Sequence, residues 1–113
     1  MDELIAEPSE SGRLVCLGVL TGHIVLQLAG EVDVSNADGL ALAINSLVSS
    51  TTEHLTIDVS DLRFIDSSGL AMLLALANRV QTVELLSPPV VLRRILEVTG
   101  VATRFTITFP PIR

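Results

Sequence analysis

Short apolar runs and turn-forming residues alternate along the chain, and their spacing predicts most of its elements. Arg13–Val19 and His23–Ala29 are rich in aliphatic and β-branched residues and meet at Thr21-Gly22, the pattern of two strands and a tight turn. Gly30-Glu31-Val32-Asp33 leads out of the second strand. Ser35 then stands as an N-cap, with Asp38 three residues later in capping-box position. Ala37, Leu40, Ala41, Ile44, Leu47 and Val48 recur at the spacing of one helix face. Gly39 inside that helix costs about 1 kcal/mol relative to Ala. Ser49–Thr52 is a linker, Leu55–Val59 a third strand, and Asp61–Asp66 a turn.

A second helix is predicted from Ser67 to Arg79, and it is apolar on nearly every side. Such a helix is buried all round, or buried on one side and adhesive on the other. The pattern alone leaves both readings open for Met72 and Leu76. Thr82–Leu86 is a fourth strand. Ser87 and Pro88 then open a third helix, with Leu92, Ile95, Leu96 and Thr99 inward and Gly100 after the last turn. Arg104–Phe109 is a final strand before Pro110-Pro111. Strands alternating with helices in the later chain predict a single α/β domain with a mixed, mostly parallel sheet and three main helices.

With 113 residues, one domain can close a core without metal or disulfide staples. Aromatics are limited to three Phe, so branched aliphatics and Ala must fill the interior. No apolar run approaches the roughly 18–20 residues that cross a bilayer. The first ten residues are acidic, opposite in sign to the start of a signal peptide. A cytoplasmic domain over residues 13–113, preceded by a flexible lead-in over 1–12, is expected. Cys16 is the only cysteine and is read as a buried, inert thiol in a strand, with no internal disulfide to form.

Charge divides the chain. Residues 1–62 carry ten acids and one Arg, residues 63–113 three acids and six Arg, for a net −6 and no Lys. Nothing here forms a basic stripe for phosphates, so direct nucleic-acid binding is not expected and a basic or mixed partner surface is.

The most informative stretch is Asp61-Leu62-Arg63-Phe64-Ile65-Asp66-Ser67-Ser68-Gly69-Leu70, where a helix opens on two serines behind an acid. The first amides of a helix lack intrahelical partners and lie at its positive end. A phosphate on Ser67 could sit over them; equally, Asp66 and the serines could serve only as the cap. A catalytic serine would need a base in reach, and the two histidines, His23 and His54, fall in or beside strands. No nucleophile elbow, phosphate-binding glycine loop or paired metal-ligand spacing is present. No enzyme activity, metal or cofactor is expected.

This stretch resembles the signature of STAS domains of the anti-sigma factor antagonist (anti-anti-sigma factor) kind. Leu28–Asp33 resembles the family's Gly-Glu-Leu-Asp segment, and Ser87–Leu96 through Thr99-Gly100 its third helix, so the likeness runs from about Val15 to Phe109. The resemblance implies a regulator of transcription that binds an anti-sigma factor, a GHKL-type serine kinase, and thereby releases a sigma factor. It implies phosphorylation of Ser67 as the inactivating step, with a PP2C-type phosphatase as the candidate for its reversal. Asp33 and Asp66 are implied to line the partner face, and we extend that face to Glu31, Val32, Ser68, Gly69 and Met72, with weak homodimerisation as a further expectation. From Gly69 to Ser87 the chain is several residues shorter than the family pattern and lacks its Gly-Gly turn, which bears on the surface near Met72, Leu76 and Arg79. The alternative within the same fold is an accessory subunit of a transporter or sensory assembly with no phosphorylation switch.

Overall fold

In the computed structural model, which describes residues 3–4 and 12–110, the expected first hairpin is the spine of one mixed sheet. The lead-in contributes β1 (Glu3–Leu4), paired antiparallel to β2 (Gly12–Leu20) through Glu3↔Cys16 and Leu4↔Val15; residues 1–2 and 5–11 of it lie outside the described residues. β3 (His23–Val32) returns antiparallel along β2, with an irregularity between Cys16 and Gly18. Leu14, Ile24, Leu26 and Leu28 alternate into the core, as a half-buried sheet requires. Cys16 is half-buried rather than fully buried, its Sγ 3.9 Å from the Gly18 carbonyl, because the irregularity falls beside it.

Beyond β3 the chain is a series of parallel crossovers: α1 (Ala37–Leu47), β4 (His54–Asp58), β5 (Leu62–Ile65), α2 (Ser67–Arg79), β6 (Thr82–Leu86), α3 (Val90–Thr99), and β7 (Thr106–Thr108) after a short 3-10 turn over Ala102–Arg104. The strand order is β1-β2-β3-β4-β6-β7, with β5 continuing along β3 past the end of β4. The link from β4 to β5 steps back to β3, while the three helical crossovers all advance in the same direction, so the usual right-handed connection sets their helices against one face. There Leu55, Ile57, Val83 and Leu85 join Leu40 and Ile44 of α1, Leu70, Leu73 and Leu76 of α2, and Leu92 and Leu96 of α3 in one core cluster. In the middle of β4 the Thr56 hydroxyl donates to Glu84 Oε1 at 3.0 Å and lies 2.8 Å from His23 Nε2, while Thr108 donates to Glu84 Oε2 at 2.7 Å. These bonds satisfy the buried Thr56. No helix of the described residues is long and apolar enough to cross a membrane.

Several expectations are corrected. Asp61–Asp66 is not all turn, because Leu62–Ile65 is strand β5. The cap of α1 is Asn36 rather than Ser35, whose hydroxyl instead donates to Asp33. α3 opens at Pro89-Val90 rather than Ser87-Pro88; Ser87 takes a left-handed backbone (φ 52°) while its amide donates to the Thr108 carbonyl. Thr99 is exposed, its hydroxyl returning to the Ile95 carbonyl at 2.6 Å, and the last strand begins at Thr106, not Arg104.

The shortened region between Gly69 and Ser87 closes without the missing turn. Only Val80 and Gln81 separate α2 from β6. Arg79 reaches across to α1, its guanidinium donating to the Asn45 side chain and, at 3.0 Å, to the Val48 carbonyl. That bond supplies a cation and donors to a helix C-terminus, where carbonyls lack partners.

Candidate functional site

β3 and β5 end side by side. They pair in parallel through Glu31↔Phe64 and Val32↔Ile65, and the Asp66 amide adds one more bond to the Val32 carbonyl at 3.2 Å. Asp33 and Asp66 therefore each follow the last paired residue of neighbouring strands, which lie about 4.8 Å apart. Residues far apart in the sequence are thus brought to one edge of the sheet.

Asp66 then turns the chain into α2. Its backbone is extended (φ −112°, ψ −169°) and its Oδ1 accepts from the amides of Ser68 at 2.9 Å and Gly69 at 3.2 Å. This is a full N-cap. It also means that two of the amides available to a phosphate on Ser67 already hold a carboxylate. Ser67, first residue of the helix, is exposed; Ser68 is half-buried. Beneath them Gly69 is buried, and a Cβ there would come within 2.5 Å of Ile65 Cγ1 and 2.9 Å of Val32 Cγ1. The absence of a side chain at Gly69 lets the helix start directly on the last paired residues of both strands.

The loop after β3 is braced differently. Asp33 Oδ1 accepts from the Ser35 amide at 2.9 Å and the Ser35 hydroxyl at 2.5 Å. The Asn36 side chain accepts from the Asp33 amide at 2.9 Å and donates to the Glu31 carbonyl at 2.8 Å. The hydrogen bonds from the Ser35 hydroxyl and amide hold the Asp33 carboxyl below its ordinary value of 3.8.

Among the residues expected on a partner face, Glu31, Asp33, Asp66, Ser67 and Ser68 come together with part of their surface open. Val32, Gly69 and Met72 do not offer surface: Val32 is fully buried, Gly69 is packed on Ile65, and Met72 is 5 % exposed, with Leu76 in the core as well. For Met72 and Leu76 the core reading holds, because α1, β5 and β6 pack against α2, while the open side of the helix carries Ser67, Ala71, Ala75 and Asn78. Two apolar residues at this edge were not legible as surface in the sequence, Val34 at 78 % and Phe64 at 44 % exposure. Phe64 faces outward because of an irregularity within the four-residue strand β5, which leaves no period to read in Leu62-Arg63-Phe64-Ile65.

No histidine can serve Ser67 as a base. His23 and His54 are register partners at the opposite ends of β3 and β4, with rings 6.0 Å apart. From His23 to Val32 the strand rises roughly 30 Å at about 3.3 Å per residue. Among the described residues no group of three His, Cys, Asp or Glu side chains is placed to hold a metal ion.

A mixed sheet with helices on its parallel crossovers, and an acid-capped serine at the start of the second helix, together define the class: the chain belongs to the STAS domain family, whose profile described as "Mlab, STAS domain" matches residues 19–108. Within it, the chain is similar to the anti-sigma-F factor antagonist RsfB of Mycobacterium tuberculosis, with 36% identity over 59 residues, 52% of this chain. The match spans about half of that relative, 48% of its length. Among solved structures, an anti-sigma factor antagonist from Mycobacterium paratuberculosis superposes with a TM-score of 0.73 and 26% identity, covering 88% of this chain and 87% of that one. The antagonist SpoIIAA in its unphosphorylated form superposes with a TM-score of 0.72 over 85% of this chain and 86% of its own, and at 19% identity this speaks for the fold.

Proposed function

We propose that this STAS domain is an anti-sigma factor antagonist of the cytoplasm that works by binding and not by catalysis. It binds an anti-sigma factor of the GHKL serine kinase kind, releases that factor's sigma subunit, and is inactivated when the kinase phosphorylates Ser67, with a PP2C-type phosphatase restoring it. The observation that carries this reading is the exposed Ser67 at the first position of α2, flanked by the Asp66 cap and by Asp33 at the end of the neighbouring strand. A kinase can reach that hydroxyl, while Ser68 is half-covered.

The switch follows from charge. Phosphorylation adds roughly −1.5 to −2 charges at neutral pH. Two of the first amides of the helix, those of Ser68 and Gly69, are engaged by Asp66, so the new dianion shares the helix start with a carboxylate. A partner surface closed tightly over the small neutral hydroxyl leaves no room for a phosphate, and burying the dianion there would strip its water at a cost of several kcal/mol. At 1.4 kcal/mol per factor of ten, affinity is expected to fall about a hundredfold or more. The test is to measure binding of the purified GHKL-type anti-sigma kinases of the source genome before and after ATP treatment, with the modified residue located by mass spectrometry. Ser67→Ala should bind constitutively, Ser67→Asp poorly, and Ser68→Ala should still be modified. Phosphate found only on Ser68, or binding unchanged by phosphorylation, would overturn the switch. Binding to none of the kinases would leave the accessory-subunit role as the reading to pursue.

A further inference from the structure

The pairing of β3 with β5 contains an irregularity that decides where an aromatic ring goes. Gly30 pairs with Leu62, but the next residue, Glu31, pairs with Phe64, so Arg63 is an extra residue on β5. Leu62 and Ile65 are both buried, at 2 % and 3 % exposure. Two residues between two inward positions break the period of two that a regular strand must keep. The bulge thus lets Ile65 re-enter the core beside Val32 and turns Phe64 outward beside Glu31, its register partner. Gly30 accommodates the irregularity from the other strand with a left-handed backbone (φ 85°) and an amide bond to the Asp61 carbonyl at 3.0 Å.

The three aromatic residues of the chain have different fates. Phe105 is core, at 8 % exposure. Phe109 is 56 % exposed just past β7, the last strand at the far edge of the sheet, with the Arg93 guanidinium 5.5 Å from its ring centre. Phe64 alone stands at the edge that carries Ser67, three residues before it, and it shares that edge with the carboxylates of Glu31, Asp33 and Asp66. Counting Arg63 of the bulge, the charges beside Phe64 are three carboxylates to one guanidinium. An apolar ring in such a mainly acidic border has the composition of an interface centre, where buried aromatics carry much of the binding and charged rims set orientation.

We propose that Phe64 is the apolar anchor of the docking face and that it fills a pocket on the anti-sigma factor bordered by Arg or Lys side chains. This rests on the function proposed above. The acidic rim selects a cationic border, and continuity with the Asp33–Ser67 edge places the same partner over both.

The experiment compares wild-type, Phe64→Ala, Phe64→Leu and Phe109→Ala proteins for binding to the purified GHKL-type anti-sigma kinases of the source genome. Phe64→Ala should weaken binding by about thirtyfold, the scale of an interface hot spot. Phe64→Leu should recover part of the loss, and Phe109→Ala should stay within about twofold of wild type. Circular dichroism and thermal melting establish that each variant is folded. A photo-crosslinking benzoylphenylalanine at position 64, and not at 109, should join the kinase covalently, which tests the anchor even if Phe64→Ala proves unstable. Wild-type binding with Phe64→Ala and Phe109→Ala alike, or no adduct from position 64, overturns the anchor and leaves the proposed function standing. No binding by wild type overturns both.

Discussion

The first and second helices begin at the same edge of the sheet, each behind an aspartate, yet they are held by different forces. At α1 the aspartate is not the cap. Asp33 bonds to Ser35, Asn36 ties the loop to the Glu31 carbonyl, and all of these contacts are local and close to solvent. At α2 the aspartate is the cap, and the helix start is pressed from below onto Ile65 and Val32. One start is braced by its own side chains and presents a carboxylate. The other is fixed by the core and presents a hydroxyl. Two similar-looking helix starts can thus assign rigidity to opposite layers, and substitution at matched positions can break the contrast.

The largest contrast lies in the two helical glycines. Replacing Gly by Ala in a helix gains up to about 1 kcal/mol from propensity alone. At Gly39 in α1 an added Cβ would meet no atom within 4 Å, so Gly39→Ala should stabilise by about 0.5–1 kcal/mol. At Gly69 it would meet Ile65 and Val32 at 2.5–2.9 Å. Overpacking of this kind typically costs about 1–3 kcal/mol and outweighs the propensity gain, giving a net loss of about 1–2 kcal/mol. Urea denaturation of the two variants should show shifts of opposite sign. A stabilising Gly69→Ala would mean that α2 is free to slide on the strands beneath it, and the contrast between the two helix starts would fail.

Next in size is the cap itself. Asp66→Ala removes the acceptor of the Ser68 and Gly69 amides and should cost about 1 kcal/mol, within the roughly 0.5–2 kcal/mol range for N-caps. Ser35→Ala, at the residue that sequence alone suggested as the cap of α1, should cost less, because its hydroxyl serves Asp33 and not the helix. Equal losses, again from urea denaturation, would put both helix starts under the same control.

The difference between the two helix starts also explains what could be read from the chain. The bounds of α2 and β6 follow from the residues as they stand, since Asp-Ser-Ser-Gly opens an apolar run that Asn78, Arg79 and Gln81 end before the next strand. The likeness to STAS domains rested on Asp61–Leu70 together with Leu28–Asp33 and the third helix, and was found again in the family match over residues 19–108. What escaped was set by contacts distant in sequence. β5 is four residues with a bulge, too short and too irregular to show a period, and it exists because β3 offers it a partner. The start of α3 moved by two residues because the Ser87 amide is drawn to the Thr108 carbonyl, a bond to a strand that comes later in the chain. The cap of α1 moved by one because an aspartate two residues earlier claimed the serine. Met72 and Leu76 could have been core or contact, and only the enclosing elements decided it.

The smallest expected effect is electrostatic and belongs to the start of α1. Asp33 is held below its ordinary value of 3.8 first by the Ser35 hydroxyl and then by the Ser35 amide. A carboxyl depressed in the folded state contributes stability above its unfolded value, and that contribution fades as pH falls through the lower folded value. Asp33 is therefore fully charged at neutral pH, and it keeps that charge throughout the range in which the domain would meet a partner. Ser35→Ala removes the larger of the two donors and leaves the amide, so Asp33 should titrate at a higher pH than in wild type, still short of the ordinary value. Asp66→Ala, which disturbs the start of α2 instead, should leave that titration in place. Carbon-13 NMR of the side-chain carboxyl across the acid range reads all three proteins directly. An Asp33 that titrates at its ordinary value in the wild type, or that does not move when the Ser35 hydroxyl is removed, would show that the loop is not braced by its own side chains in solution, and the start of α1 would then need a different source of order.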